Sequence, residues 1–313
     1  MKFHISAVFF LLLSSPAFAM DPQDLIEKAF SIARENSVFR HIVPWDKVKH
    51  ELEKSKPATI KEAIRDIFNV LMPSLKDHHS FLRVPSSYLT NPPTPQTPPE
   101  NLVSASDGIV TVRVPSFSLG LTGDEMPLAK EWGAKIAARL KDSQDSTTGW
   151  LVDLRENEGG NMFPMIYGIS SLISLPEDQA LFQFVDAEGQ DPTDMNLKKI
   201  LLTFGVKEKH QSISGTKPVA VLIGEKTASS GEFTTLALKA SSHIKLFGKP
   251  TGGYVTGNSP FPLGEGFYLV LTTCLGKDAQ GKVYRPRDSI FPDVDTDDPL
   301  TAAIQWLKAP RHE

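Results

Sequence analysis

Apolar positions recur at helical spacing through the first part of the chain. In "DPQDLIEKAFSIARENS", Leu25, Ile26, Ala29, Phe30, Ile32 and Ala33 form one stripe after an Asp-Pro entry, which predicts a helix. "TIKEAIRDIFNVLMPSL" repeats the pattern with Ile60, Ala63, Ile64, Ile67, Phe68 and Leu71, and Pro73 is expected to bound it. "NPPTPQTPPENL" follows. Prolines that close together permit neither helix nor central strand, so the segment reads as a stiff, extended connector. The pattern predicts a helical N-terminal region over 20–84, a proline-rich linker over 85–106 and a main body over 107–313.

In the main body the period alternates. "GIVTVRVPSF" is β-patterned, with Ile109, Thr111 and Arg113 set against Val110, Val112 and Val114. "EMPLAKEWGAKIAARLKDS" is amphipathic and helical. "GWLVDLR" is a short apolar strand, "MFPMIYGISSLISL" a helix, "KPVAVLIGE" a buried strand, "GEFTTLALKAS" a helix, and "HIKLFGKP" and "FYLVLTTCLG" are strands. Strand–helix alternation of this kind predicts an α/β fold: a central, mostly parallel sheet with flanking helices, and the small helical region beside it.

The N-terminus changes where the protein is expected to act. Lys2 and His4 precede "ISAVFFLLLSS", and "AFA" ends at Ala19 in a small-x-small pattern. This reads as a signal peptide over 1–19, and so as an exported protein, periplasmic or extracellular. No later stretch approaches the roughly 20 apolar residues of a bilayer span, so no stable membrane insertion is expected after cleavage. A formal net charge of -4 without a basic run gives no sign of nucleic acid as a partner. Cys274 is the one cysteine of the 313 residues, which rules out an internal disulfide and suits a small buried hydrophobe.

Three stretches carry candidate chemistry. In "VAVLIGEKTASSGEF" a buried strand runs into a turn and then a helix, with Ser229 and Ser230 at the junction. Helix N-termini present unpaired N–H groups, so a serine there suits attack on a carbonyl, but taken alone it more often serves as a plain helix cap with Glu232. In "LVDLRENEGGNMFPM" the pair Gly159-Gly160 could turn its amides toward a ligand or merely supply positive φ. "LKDHHSFLRV" holds His78 and His79, where a general base, a structural histidine or a metal fragment are all open. The spacing argues against a metal site.

Together the three stretches resemble the S41 serine peptidases, which include the C-terminal processing (tail-specific) proteases and the tricorn-type proteases. The family's motifs stand here in order as Asp77-His78-His79-Ser80, Asp153-Leu154-Arg155-Glu156-Asn157-Glu158-Gly159-Gly160, Thr227-Ala228-Ser229-Ser230-Gly231-Glu232 and Gly248-Lys249-Pro250-Thr251-Gly252-Gly253. The resemblance implies a ClpP/crotonase-like core. It also implies Ser229 as nucleophile, with the amides of Ser230 and Gly160 (or Gly159) as oxyanion hole. The position of the family's dyad lysine falls on Tyr254. Lys249 lies five residues earlier on the same turn, which is no safe substitute. The histidine-using branch fits better: His79 as base, and a turn "GKPTGGYVTGN" ending in Gly257-Asn258. For the group that orients the imidazole, the nearest acid in "YRPRDSIFPD" is Asp288.

Many processing proteases insert a PDZ domain after the histidine segment. The interval from His79 to Gly108 is too short for a domain, which needs about 50 residues, so none is expected. The sequence therefore predicts a PDZ-less serine peptidase acting on a peptide or protein substrate, with no metal and no organic cofactor. The rival reading is a catalytically inactive S41-like protein that binds peptides or small ligands. An α/β-hydrolase esterase is weaker, because its G-x-S-x-G elbow is absent at Ser229.

Overall fold

The computed structural model describes residues 20–88, 102–118, 125–215 and 217–310. The expected signal peptide and most of the proline-rich linker lie outside the described residues. Helix α1 (Pro22–Asn36) begins where predicted, with the Asp21 side chain accepting from Gln23 N–H. It is followed by α2 (Trp45–Ser55) and α3 (Ile60–Asp66), which Thr59 and Glu62 start with a reciprocal capping box. Pro73 does not end this helix. The chain widens over Ile67–Leu71, where Met72 N–H donates to Ile67 O, and then continues as α4 (Met72–Leu75) with the proline in its first turn.

Beyond it come β1 (Phe81–Arg83), β2 (Val103–Ser106), β3 (Ile109–Arg113), α5 (Met126–Asp142), β4 (Gly149–Asp153), α6 (Met162–Ile169), β5 (Ala180–Val185), β6 (Thr193–Asn196) and α7 (Leu197–Thr203). The chain then runs through β7 (Val219–Ile223), α8 (Ser230–Lys239), β8 (Ile244–Gly248), β9 (Thr256–Gly264), β10 (Phe267–Asp278), β11 (Val283–Tyr284), β12 (Val294–Asp295) and α9 (Pro299–Lys308).

Where one central, mostly parallel sheet is expected, the described residues form two six-stranded sheets, a mixed α/β arrangement. The first has the order β12-β8-β7-β4-β3-β2. Its pairs run parallel except β2 with β3. The second is antiparallel throughout and is built on β10, which pairs with β1, β5, β9 and β11, while β6 adds to β5. The connections explain the difference. Helical crossovers link β3, β4, β7 and β8, whereas the tight turn at Gly264-Glu265-Gly266 allows only a hairpin between β9 and β10. Read as one β run among many, "FYLVLTTCLG" does not reveal which kind of connection it has.

The first sheet is buried on both faces, which is why its strands read as continuous apolar runs. Trp150, Val152, Val219, Val221 and Leu246 face the main core with α5, α6 and α8, while Leu151, Ala220, Leu222 and Phe247 pack under α9. Helix α8 is buried almost all round and touches β8 of one sheet and β5 of the other. Its buried hydroxyls, Thr234 and Thr235, donate back to Ser230 O and Gly231 O. The N-terminal helices share their core with the second sheet: Leu25, Ala29, Ile67 and Leu71 cluster with Leu82, Phe267, Leu269 and Leu271. Leu271→Ala is expected to destabilise the protein by about 2–5 kcal/mol. Urea unfolding measures this, and a loss below about 1 kcal/mol would show that the helices do not depend on the hairpin.

Candidate active site

Three loops leave the carboxyl ends of neighbouring parallel strands β4, β7 and β8, the place where ligands gather on open α/β sheets. Asn157, fully buried, ties the loop after β4 to the end of β3 and to the loop after β7. Its Nδ2 donates to Val114 O at 2.9 Å and Pro115 O at 3.2 Å, its Oδ1 accepts from Gly159 N–H at 3.0 Å, and its carbonyl accepts from Ala228 N–H at 2.9 Å. Thr227 Oγ1 donates to Leu154 O at 2.9 Å, and Thr227 O accepts from Gly252 N–H at 2.9 Å. Both residues lie within the quoted motifs, but spacing alone does not reveal their stapling roles.

Ser229 sits at the turn into α8 with φ 53° and ψ -117°, a left-handed strain that non-glycine residues rarely hold. Glu232 pins it. Its fully buried carboxylate accepts from Ser229 N–H at 2.9 Å and Tyr254 N–H at 2.8 Å on Oε2, and from Gly253 N–H at 2.9 Å and the Thr251 hydroxyl on Oε1. Burial pushes this carboxyl above the ordinary range, and the four donors oppose that push.

Gly159 and Gly160 have φ 111° and 114°. A Cβ on Gly159 would lie 2.8 Å from Ser229 Cβ, and one on Gly160 would strike Phe117 O, so both positions need glycine. The Ser230 hydroxyl donates to Gly160 O at 2.6 Å and clasps the two loops. The Gly159 N–H is taken by Asn157. Among the described residues, the N–H groups of Gly160 and Ser230 donate to no protein acceptor.

His79 arrives from the N-terminal side through left-handed residues at Lys76 and His78. The buried Asp77 carboxylate accepts from His79 N–H at 2.9 Å, Ser80 N–H at 2.8 Å and the Ser80 hydroxyl at 2.7 Å. Asn258 Nδ2 donates to His79 O at 2.9 Å, while its Oδ1 accepts from the Thr272 hydroxyl. The ring's Nδ1 lies 2.6 Å from Thr256 Oγ1, and the ring meets Tyr254 edge-on with centroids 5.3 Å apart. Tyr254 thus touches both ends of the candidate pair: its backbone is on the carboxylate that holds Ser229, and its ring is on His79. Burial pushes the imidazole down to about 4, with Asp77 pulling weakly the other way, so it is neutral at pH 7.

The model of peptidase family S41 matches residues 108–296, more than half of the chain. The chain belongs to peptidase family S41. This S41 chain is 27% identical to the nisin-resistance protein of Lactococcus lactis subsp. lactis, over 92% of its own length and 87% of that protein's. It superposes with a TM-score of 0.74 on a lipoprotein from Streptococcus agalactiae, at 27% identity over 95% and 99% of the two chains. The photosystem II D1 C-terminal processing protease shares the fold, with a TM-score of 0.58 at 15% identity over 93% and 98% of the chains.

Three residues singled out in this S41 sequence lie apart from the imidazole's contacts. Lys249 bonds Asp295 at 2.8 Å and Asp297 at 2.9 Å; these bonds raise its pKa and keep it protonated. Asp288 accepts from Arg285 N–H at 2.8 Å within its own turn, and Thr256 occupies the ring nitrogen an acid was expected to meet. Cys274 is half-buried on β10, where burial pushes its thiol up to about 11. Among the described residues, no three His, Cys, Asp or Glu side chains gather as a metal site.

The low imidazole pKa has a consequence for stability. The unfolded chain takes up a proton at an ordinary 6.5, while the folded chain resists until about 4. Stability is therefore lost as pH falls from 6.5 toward 4, by up to about 3 kcal/mol from this residue. Urea unfolding at pH 7 and pH 4 should show a smaller acid loss in His79→Gln than in the parent. Equal losses would mean that the half-buried imidazole is not the cause.

Proposed function

We propose that the protein is an exported serine peptidase in which Ser229 is the nucleophile and His79 the general base. The reading is carried by the N–H groups of Gly160 and Ser230, which donate to no acceptor among the described residues and are clasped together beside a serine held in a strained turn. In this reading the Ser229 hydroxyl attacks the carbonyl carbon of a peptide bond, and His79 Nε2 takes its proton. The two amides bind the oxyanion of the tetrahedral intermediate. The C–N bond then breaks, and His79 returns the proton to the leaving amine. A water, deprotonated by the same imidazole, attacks the acyl-enzyme and frees Ser229. At pH 7 the imidazole is neutral and has a lone pair to accept a proton, while its lowered pKa of about 4 makes it a weaker base than an ordinary histidine.

Export rests on the N-terminal segment and on the relatives, one of them named as a lipoprotein. The similarity to a protein named for nisin resistance makes nisin the first compound to test as a substrate. The interval between His79 and Gly108 has no room for a PDZ domain, so selection of C-terminal tails by that route is not part of the reading. A second reading, an S41-type peptide-binding protein without turnover, draws on one observation: among the described residues, no carboxylate bonds the His79 ring.

Fluorophosphonate labelling of the mature protein separates them. Ser229→Ala and His79→Ala are expected to abolish labelling, and Lys249→Ala to leave it within about twofold, because that ammonium is held by two aspartates. The rate should hold down to about pH 5 and fall toward pH 4 as the imidazole protonates. Folded protein that takes up no label would favour the binding reading.

A further inference from the structure

Thr256 opens β9 directly after the glycine turn, and its side chain is buried. Its N–H donates to Tyr254 O at 2.8 Å, which fixes the direction of the Cβ. Its hydroxyl meets the His79 ring at 2.6 Å. Two residues on, Asn258 holds the His79 carbonyl. Residues two apart on a strand share a face, so one strand grips both the ring and the backbone of the histidine. The acids that the sequence offers are otherwise engaged: Asp77 by His79 N–H, Ser80 N–H and the Ser80 hydroxyl, Asp288 by Arg285 N–H. Resting on the Ser229–His79 reading above, we propose that Thr256 is the positioning residue of the imidazole, with its hydroxyl standing where a Ser–His–acid triad has its carboxylate.

The exchange of carboxylate for hydroxyl has definite chemistry. A carboxylate only accepts, so it holds the proton on Nδ1, leaves the Nε2 lone pair to the serine and favours the charged ring. A hydroxyl donates or accepts. It fixes the plane and reach of the ring as well as an acid does, but it gives no ionic support to an imidazolium. Only the form with the proton on Nδ1 and Thr256 accepting can take the Ser229 proton. Thr256 thus sets both the aim of the base and the share of the ring in the productive tautomer.

The test compares Thr256→Val, which keeps the shape without the hydroxyl, with Thr256→Ser, which restores the hydroxyl. Thr256→Ala repeats the comparison without the bulk of valine, in case valine disturbs the strand. Two readouts are taken: the rate of fluorophosphonate labelling, and the 15N shifts of the His79 ring nitrogens at pH 7. Valine and alanine are expected to slow labelling by about ten- to a hundredfold and to move the nitrogen shifts, with serine near the parent on both. Valine and alanine variants that label at the parental rate with unchanged shifts would overturn the proposal. If the parent itself takes no label, the Ser229–His79 reading fails instead, and the nitrogen shifts alone decide whether Thr256 governs the ring.

Discussion

The candidate site hangs on one buried carboxylate. Glu232 is the third residue of α8 and reaches back to collect the N–H groups of Ser229, Gly253 and Tyr254 and the hydroxyl of Thr251. A buried carboxyl is tolerated only when its lone pairs are met, and here four donors from two loops meet them. The start of a helix also favours negative charge. The same carboxylate therefore joins the loop after β7 to the loop after β8, and it holds Ser229 in a backbone conformation the residue would not keep alone.

Around that anchor, two packing units supply the two halves of the proposed pair. Ser229 and the glycine loop belong to the parallel sheet and its main core. His79 belongs to the unit in which the N-terminal helices and the β9–β10 hairpin share apolar residues. Tyr254 links them, through Glu232 on one side and the His79 ring on the other. The reach of the imidazole is thus set by how the hairpin sits on α8 as much as by local contacts.

Much of this was legible in the chain, because strongly periodic segments follow local physics. Buried strands such as "KPVAVLIGE" and capped helices such as α1 fall where their apolar spacing puts them. Gly159-Gly160 and Ser229 were visible as turn residues at the ends of strands. The second sheet was not legible, because pairing partners far apart in sequence leave no local trace: Phe81 pairs with Val270. The persistence of helix past Pro73 was hidden for a related reason, since a widened turn absorbs the proline without any signal in composition. The contact of Thr256 with the His79 ring was not legible, because a buried threonine in a β run reads as an ordinary strand former. Asp288 was singled out as the nearest acid in sequence, yet nearness along the chain says little about which side chain a folded strand will aim at the ring.

The wide separation of residues 79 and 229 along the chain has an implication for the life of the protein before it is folded. Whether on the ribosome or on the proposed export route, a chain that emerges from its N-terminus presents the histidine early and the serine late. Neither half of the proposed pair has its partner until the hairpin at 256–278 has followed and closed over the first helices. A chain caught part-way, or one clipped before that hairpin, carries the serine without a gripped imidazole. In the proposed reading, the order of the motifs leaves Ser229 without a gripped imidazole until the two cores have met.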